Sequence, residues 1–151
     1  MATKLPCRRN AIWNPNKGPE FLRKNYLATE DTAQEIFDVL NKNIWNSELE
    51  RTNIEIGRIR GSYGWCLGLN TPAGEFYTKK IKLTPKWGCL QWFITILAHE
   101  MVHHWQCSIY SNERYESGMP WSKSFIMSHG PSFHRWKASL AKYDIPLKLQ
   151  H

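Results

Sequence analysis

Hydrophobic positions recur along the chain with two different periods, and each change of period marks a new element. From Thr29 onward they follow helical spacing, behind a capping threonine and an acidic first turn. This stretch predicts an amphipathic helix that ends near Asn46. Its buried face is formed by Ala33, Ile36, Phe37, Leu40 and Ile44.

The period shortens to two in the next part of the chain. Isoleucines alternate with polar residues over 53–59, residues 61–69 are rich in glycine and aromatics, and apolar residues alternate with lysines over 76–83. A turn containing proline and glycine at 70–74 separates the last two stretches. The pattern predicts a small, mainly antiparallel sheet of three to four short strands.

Residues 90–107 are apolar almost all round, which predicts a central, buried helix. A polar and aromatic connection follows over 108–128, and it is longer than a compact domain normally leaves unstructured. We expect this connection to be a lid, a nucleic-acid contact, or a surface loop packed down by Trp121 and Phe125.

A last helix opens at Gly130-Pro131, because proline suits the first helical position. It is expected to bury Phe133, Trp136, Leu140 and Tyr143. These elements predict the α+β class, with about three main helices. We expect one globular domain over residues 29–151, preceded by a basic N-terminal arm over 1–28.

Composition supports one folded domain without a membrane segment. The 151 residues include eight Trp, six Tyr and six Phe, and 42% of the chain is hydrophobic. The four cysteines form no Cys-x-x-Cys pair, so we expect buried or incidental thiols. No stretch has the apolar length of a signal peptide or a membrane span. We therefore expect an intracellular, cytoplasmic protein that is not secreted, or one in the host cytoplasm if its origin is viral.

The net charge of +7 is spread unevenly. Two basic blocks, 1–24 and 51–90, flank an acidic block at 25–50. A basic surface attracts polyanions such as nucleic acid. The alternative, that the lysines only keep a solvated surface soluble, is equally compatible with this pattern.

The segment His99-Glu100-Met101-Val102-His103 has the pattern of a zinc peptidase site. Its two histidines lie about 40° apart around a helix, so both imidazoles can bind one ion, and Glu100 lies about 100° round. A carboxylate there can accept a proton from water, since zinc lowers the pKa of bound water to roughly 7. The alternative is a core helix with two hydrogen-bonded histidines, but it would bury Glu100 without a metal beside it, at a cost of several kcal/mol. His104 points away, and we expect it to be hydrogen-bonded on the far side of the helix.

A catalytic zinc normally has three protein ligands. The extended H-E-x-x-H-x-x-G-x-x-H motif is excluded by Gln106 and Ile109. The predicted connection offers no helical frame for its two carboxylates, Glu113 and Glu116. Two histidines at the start of the last helix are better candidates, His129 and His134.

Three segments in this order resemble the SprT/Spartan family of zinc proteases: Ile81-Lys82-Leu83-Thr84-Pro85-Lys86-Trp87, the helix Leu97-Ala98-His99-Glu100-Met101-Val102-His103-His104-Trp105, and His129-Gly130-Pro131-Ser132-Phe133. Gly64-Trp65-Cys66 is similar to the glycine-and-cysteine strand that precedes the motif in that family. The resemblance covers roughly residues 30 to 143.

The resemblance implies a compact, zincin-like metalloprotease core in which a small sheet shields one side of the site. It implies one zinc ion held by His99, His103 and His129, because His129 occupies the histidine of the His-Gly-x-x-Phe element. His134 has no counterpart there. Spartan-like members cleave proteins crosslinked to DNA in a DNA-dependent reaction. We therefore expect a protein substrate, DNA as a further partner with single strands favoured, no membrane partner and a monomer.

This chain ends at His151 without the zinc ribbon of some bacterial members or the partner-binding segments of larger eukaryotic ones, so DNA contacts are expected from the core. The candidate cations are Arg8, Arg9, Arg58, Arg60, Lys79, Lys80 and Lys82. The aromatic residues that could stack on bases are Trp65, Tyr77, Trp87 and Trp121. Packing in the core is the alternative role for each aromatic.

The resulting hypothesis is peptide hydrolysis by a zinc-activated water, with Glu100 as the base that takes the proton and passes it to the leaving amine. One alternative is a non-catalytic zinc-containing DNA-binding module, although such a site usually closes its fourth position with Cys or His. A zinc hydrolase acting on small molecules is the other alternative.

Overall fold

The computed structural model describes residues 25–73, 75–118 and 126–147. Its strands are β1 (Tyr26–Leu27), β2 (Asn53–Ile56), β3 (Gly64–Asn70), β4 (Phe76–Leu83) and β5 (Lys86–Trp87). Its helices are α1 (Glu30–Ile44), α2 (Leu90–Trp105), a π-helical turn (Gln106–Tyr110), α3 (Ser111–Glu116), α4 (Pro131–His134) and α5 (Lys137–Ala141). The α+β class is confirmed.

Helix α1 begins as its sequence predicts. The hydroxyl of Thr29 accepts a hydrogen bond from the amide of Thr32 at 3.2 Å, and the amide of Thr29 donates to the Thr32 hydroxyl at 3.2 Å. These reciprocal bonds satisfy donors that a helix start otherwise leaves unpaired. The predicted apolar face is buried. Near the end of the helix, the side chain of Asn41 exchanges two hydrogen bonds with the backbone of Leu49 and holds the chain that leads to β2.

The main sheet has three strands in the order β2-β4-β3. Strand β3 pairs antiparallel with β4, as expected, but β2 pairs parallel with it. The prediction of a mainly antiparallel sheet is therefore wrong for β2. Residues 57–63 connect β2 to β3, and these two strands lie on opposite edges of β4. Periodicity locates strands but does not specify which neighbour each one chooses.

A second, two-stranded sheet joins β1, at the start of the described chain, to β5, which lies just before α2. Tyr26 pairs with Trp87 and Leu27 with Lys86. The amide of Ala28 extends this contact by donating to the carbonyl of Pro85 at 2.8 Å. Residues 26–28, which the sequence assigned to the basic arm, therefore belong to the folded body, and residues 1–24 lie outside the described part.

Helix α2 is the centre of the molecule, as predicted. Every residue in it except Trp92 is buried, and it packs on β3, β4 and α1. At its first turns, aromatic rings from both strands of the two-stranded sheet pack against it: Phe93 lies 5.2 Å from Tyr26 and 5.2 Å from Trp87 between ring centroids. This packing fixes the helix on which the candidate ligands stand.

The chain stays helical well beyond Trp105, so the prediction of an irregular connection from residue 108 is wrong for 108–116. Polar side chains there donate to carbonyls four residues earlier: Ser108 to His104 at 2.7 Å, Asn112 to Ser108 at 2.8 Å, and Ser111 to Cys107. Because the helix satisfies these polar groups itself, a composition typical of loops is compatible with it. Residues 119–125, with Trp121 and Phe125, lie outside the described part.

The last helix opens at Gly130-Pro131 as predicted, but it is broken by a turn into α4 and α5. Phe133 and Leu140 are fully buried, whereas Trp136 and Tyr143 are half-buried.

None of the described helices is long and apolar enough to cross a membrane. Thiols are confirmed for Cys66 and Cys107, but Cys89 is disulfide-bonded, so the thiol prediction is wrong there.

Candidate metal centre

Two of the candidate ligands stand one turn apart on α2. His99 and His103 are buried, and their ring centroids lie 4.9 Å apart. The four-residue spacing places both rings on one face of the helix. Because α2 is packed on nearly all sides, this face is held rigidly, and both histidines stand where the sequence predicts.

The third histidine comes from the turn before α4. The Nε2 atom of His129 lies 3.1 Å from Nε2 of His103, and its ring centroid lies 5.2 Å from that of His99. The candidate ligand atoms of the three side chains lie within 4.8 Å of one another. These three histidines are therefore close enough to bind one metal ion. His129 is exposed, so the group has an open side.

Phe133 lies against all three rings. Its ring centroid is 4.9 Å from that of His99, 5.1 Å from that of His103 and 4.7 Å from that of His129. The phenylalanine is fully buried and belongs to the same His-Gly-x-x-Phe element as His129. It shields one side of the group from water and limits the orientations of the rings.

Glu100 follows His99 directly on α2 and is buried, with 2% of its surface exposed. Its position about 100° round the helix from His99 keeps it beside the ligands. The structure thus brings a buried carboxylate next to two candidate ligands, as the sequence predicts. Its role as a base stays a prediction.

Gln106 contacts the site, although the sequence pattern did not assign it a role there. Its side-chain amide lies 2.7 Å from Nδ1 of His103, and its Nε2 donates to the carbonyl of Ser128 at 2.8 Å and to the hydroxyl of Ser132 at 2.9 Å. The three-residue spacing between His103 and Gln106, which brings two side chains together on a helix, is the feature that points to it.

His104 belongs to a different network, as predicted. Its Nε2 donates to the carbonyl of Glu50 at 2.8 Å, and in the neutral ring its Nδ1 then accepts from the hydroxyl of Thr78 at 2.6 Å. Burial lowers the pKa of His104 below its ordinary value, against a smaller opposing effect of the Glu50 hydrogen bond. This ring anchors α2 to the sheet and to the segment after α1.

The other candidate ligands are not brought to the site. His134 is exposed, with its ring 5.6 Å from that of Phe133, and within the described ranges it is outside the histidine group. Glu113 and Glu116 are exposed and also lie outside the group. Both stand on α3, so the expectation that they lie in an irregular loop is wrong.

The candidate nucleic-acid contacts separate into two sets. Arg58, Arg60 and Lys79 are exposed. Arg58 lines a cavity of about 550 Å³, and Arg58 and Arg60 together line another of about 500 Å³. Two further cations already pair with Glu55, at 2.8 Å from Lys80 and 3.1 Å from Lys82. The remaining two candidates, Arg8 and Arg9, lie outside the described residues.

The candidate stacking aromatics also differ in exposure. Trp87 is buried and packs between Tyr63, Trp92 and Phe93, so of its two expected roles, base stacking and core packing, the structure shows core packing. Trp65 is half-buried, and the Nζ atom of Lys80 lies 5.7 Å from its ring centroid. Tyr77 is 45% exposed.

Fold and site together define a small α+β protein whose three histidines could hold a metal ion. No protein-family model matches this chain, and no curated protein and no solved structure is significantly similar to it. The SprT/Spartan resemblance therefore rests on the motifs alone.

Proposed function

We propose that this protein is a zinc-dependent metalloendopeptidase of the SprT-like type, which hydrolyses peptide bonds in a protein substrate. The observation that carries the proposal is the convergence of His129 on His99 and His103, beside the buried Glu100. Chance placement of two histidines on a helix does not bring a third from another element to within 3.1 Å.

The donor set suits zinc. Imidazole nitrogens bind zinc at about 2.0–2.1 Å, so two of them in a tetrahedral site lie about 3.3 Å apart. The 3.1 Å between the Nε2 atoms of His103 and His129 is close to that separation. Three histidines also leave a fourth position for water or substrate, as catalytic zinc sites do. The exposed side at His129 gives access to it.

Zinc bound there would lower the pKa of a water molecule and polarise the carbonyl to be attacked. The carboxylate of Glu100 takes the proton from the attacking water and delivers it to the leaving amine. Phe133 keeps bulk water from one side of the histidines, which strengthens electrostatic interactions at the reacting centre. His104 holds α2 against the sheet, so the ligands and Glu100 keep their spacing.

The test compares Glu100→Gln with His103→Ala, and uses the exposed Glu116→Gln as the matched control. Metal content after dialysis and cleavage of an unfolded protein substrate are measured for each variant. Glu100→Gln is expected to keep its zinc and lose about 10²-fold or more in cleavage rate, because the base is gone. His103→Ala is expected to lose both, and Glu116→Gln neither. A Glu100→Gln protein that still cleaves at the wild-type rate would contradict the proposal.

We also propose that DNA, preferably single-stranded, stimulates the cleavage. The support is the exposed cationic set of Arg58, Arg60 and Lys79 together with the exposed ring of Tyr77. Adding single-stranded DNA at low salt should raise the cleavage rate, and Arg58→Gln with Arg60→Gln should weaken that response. DNA binding without any cleavage in the wild type would instead indicate a non-catalytic DNA-binding module.

A further inference from the structure

We infer that Gln106 is a positioning residue of the metal site. Its side chain orients the ring of His103 and also holds in place the turn that carries His129. This inference rests on the proposed function, because ligands need such positioning only where a metal binds. Gln106 is fully buried, so water does not compete for its hydrogen bonds.

The orientation of the Gln106 amide follows from its neighbours. A backbone carbonyl only accepts, so the amide end that lies 2.8 Å from the carbonyl of Ser128 must be the NH₂ group. The second hydrogen of that group is directed to the hydroxyl of Ser132 at 2.9 Å. The remaining end, Oε1, therefore faces Nδ1 of His103 at 2.7 Å.

This orientation determines the tautomer of His103. An amide oxygen cannot donate, so Nδ1 of His103 must carry a proton, and in the neutral ring Nε2 then keeps its lone pair. Nε2 is the atom that lies 3.1 Å from His129, within the ligand group. Gln106 thus selects the tautomer of His103 that can bind a metal through the nitrogen facing the site.

The same side chain holds the third ligand. His129 is exposed and stands in a turn, without a long helix to fix it. Ser128 precedes it and Ser132 follows it, and Gln106 donates to both. The hydroxyl of Ser128 also accepts from the amide of Gly130 at 3.3 Å, which closes the turn. Gln106 therefore ties this turn to the helical extension of α2.

The first test is zinc affinity by chelator competition in Gln106→Leu. The matched control is Gln91→Leu: Gln91 is equally buried near the other end of α2, and its amide donates to the carbonyl of Asp144 at 3.0 Å. Affinity should fall about 10- to 100-fold in Gln106→Leu, as for other residues that orient metal ligands. It should stay within about twofold of wild type in Gln91→Leu, because that variant loses a buried amide far from the site. An unchanged affinity in Gln106→Leu would overturn the inference.

The second test measures the histidine tautomers of the metal-free protein by long-range ¹H–¹⁵N NMR correlations. In the wild type the proton of His103 should lie on Nδ1, and in Gln106→Leu it should redistribute toward Nε2. Gln106→Glu keeps an acceptor for Nδ1, so it should retain the wild-type tautomer and is the matched control. If Gln106→Leu does not fold, the tautomer of the wild type still tests the inference. A proton on Nε2 of His103 in the wild type would overturn the inference.

These outcomes separate the two proposals. A wild-type protein that binds zinc but cleaves no peptide would defeat the proposed function, and the zinc affinity of Gln106→Leu would still test the role of Gln106. A wild-type affinity in Gln106→Leu would defeat the role of Gln106 and leave the peptidase proposal intact.

Discussion

Neighbouring histidines on α2 serve different purposes because the helix turns them about 100° apart. His103 faces the ligand group, where its Nε2 lies 3.1 Å from that of His129. His104 faces the sheet, and both of its ring nitrogens are used by Thr78 and the backbone of Glu50. The Glu50 carbonyl can only accept, so Nε2 carries a proton, and burial, which lowers the pKa of His104, favours the neutral ring with Nδ1 as its acceptor.

This environment predicts a pH dependence of stability. The pKa of His104 is lowered by burial, so its stabilising effect is complete above the unfolded-state pKa, near 6.5, and is lost as the pH falls through the folded-state pKa. The free energy of unfolding, measured with urea in the presence of a chelator, should therefore fall more between pH 7 and pH 5 in the wild type than in His104→Gln. Glutamine can keep both hydrogen bonds but has no proton to gain.

The matched control for that experiment is His134→Gln, because His134 is exposed. It should retain the pH dependence of the wild type. If the free energy of unfolding fell equally with pH in the wild type and in His104→Gln, the assignment of a buried, neutral His104 would be contradicted.

At the scale of elements, β3 approaches both β4 and α2 closely at Gly64. A methyl group added there would lie 2.6 Å from Cδ2 of Leu83 and 3.2 Å from the carbonyl oxygen of Lys82. Gly64 opens the strand that resembles the glycine-and-cysteine strand of the family. The lack of a side chain there lets the sheet lie against the helix that carries the ligands.

We predict that Gly64→Ala destabilises the protein by about 1–3 kcal/mol, because a buried methyl group must displace Leu83 or the backbone of β4. Gly57→Ala is the matched control: its added methyl group meets Cε of Lys82 only at 3.4 Å, an ordinary contact. That change should be neutral or stabilise by less than about 1 kcal/mol. The measurement is the free energy of unfolding of both variants in urea. Equal values for the two would contradict the close packing at Gly64.

At the scale of the whole molecule, a bound metal would link two separate elements. His99 and His103 stand on α2, whereas His129 stands in the turn before α4, and Gln106 and Phe133 support the junction. A ligand that binds the folded state and not the unfolded one stabilises the fold by mass action. Metal binding is therefore expected to be visible in the stability of the entire chain.

Zinc at about 100 times its dissociation constant should add about 2.7 kcal/mol, which raises Tm by about 5–10 °C for a chain of this length. The shift should vanish on adding a chelator and should be absent in His129→Ala. His134→Ala is the control and should keep the shift, because His134 lies outside the histidine group. Differential scanning calorimetry with and without zinc tests this, and an unchanged Tm in the wild type would contradict a metal site at these histidines.

Much of the fold follows from local pattern. The amphipathic spacing and capping threonine of α1, the alternation in β2 and β4, and the apolar span of α2 all predict the observed elements. Each of these elements is specified by residues only a few positions apart, so the period of hydrophobic residues along the chain is enough to predict it. The placement of His99, Glu100 and His103 follows in the same way, since all three stand on one helix.

Contacts between distant segments were decided only by the tertiary structure. Periodicity did not predict the parallel pairing of β2 with β4 or the pairing of β1 with β5, because backbone hydrogen bonding between strands is not encoded in one strand's own spacing. Nor did polar composition reveal that 108–116 stays helical, since its side chains bond back onto their own helix. The sequence by itself therefore determined the helix that carries two histidines and the carboxylate. Folding determined that His129 completes the group and that Gln106 holds it, because both depend on a turn 26 residues from His103 along the chain.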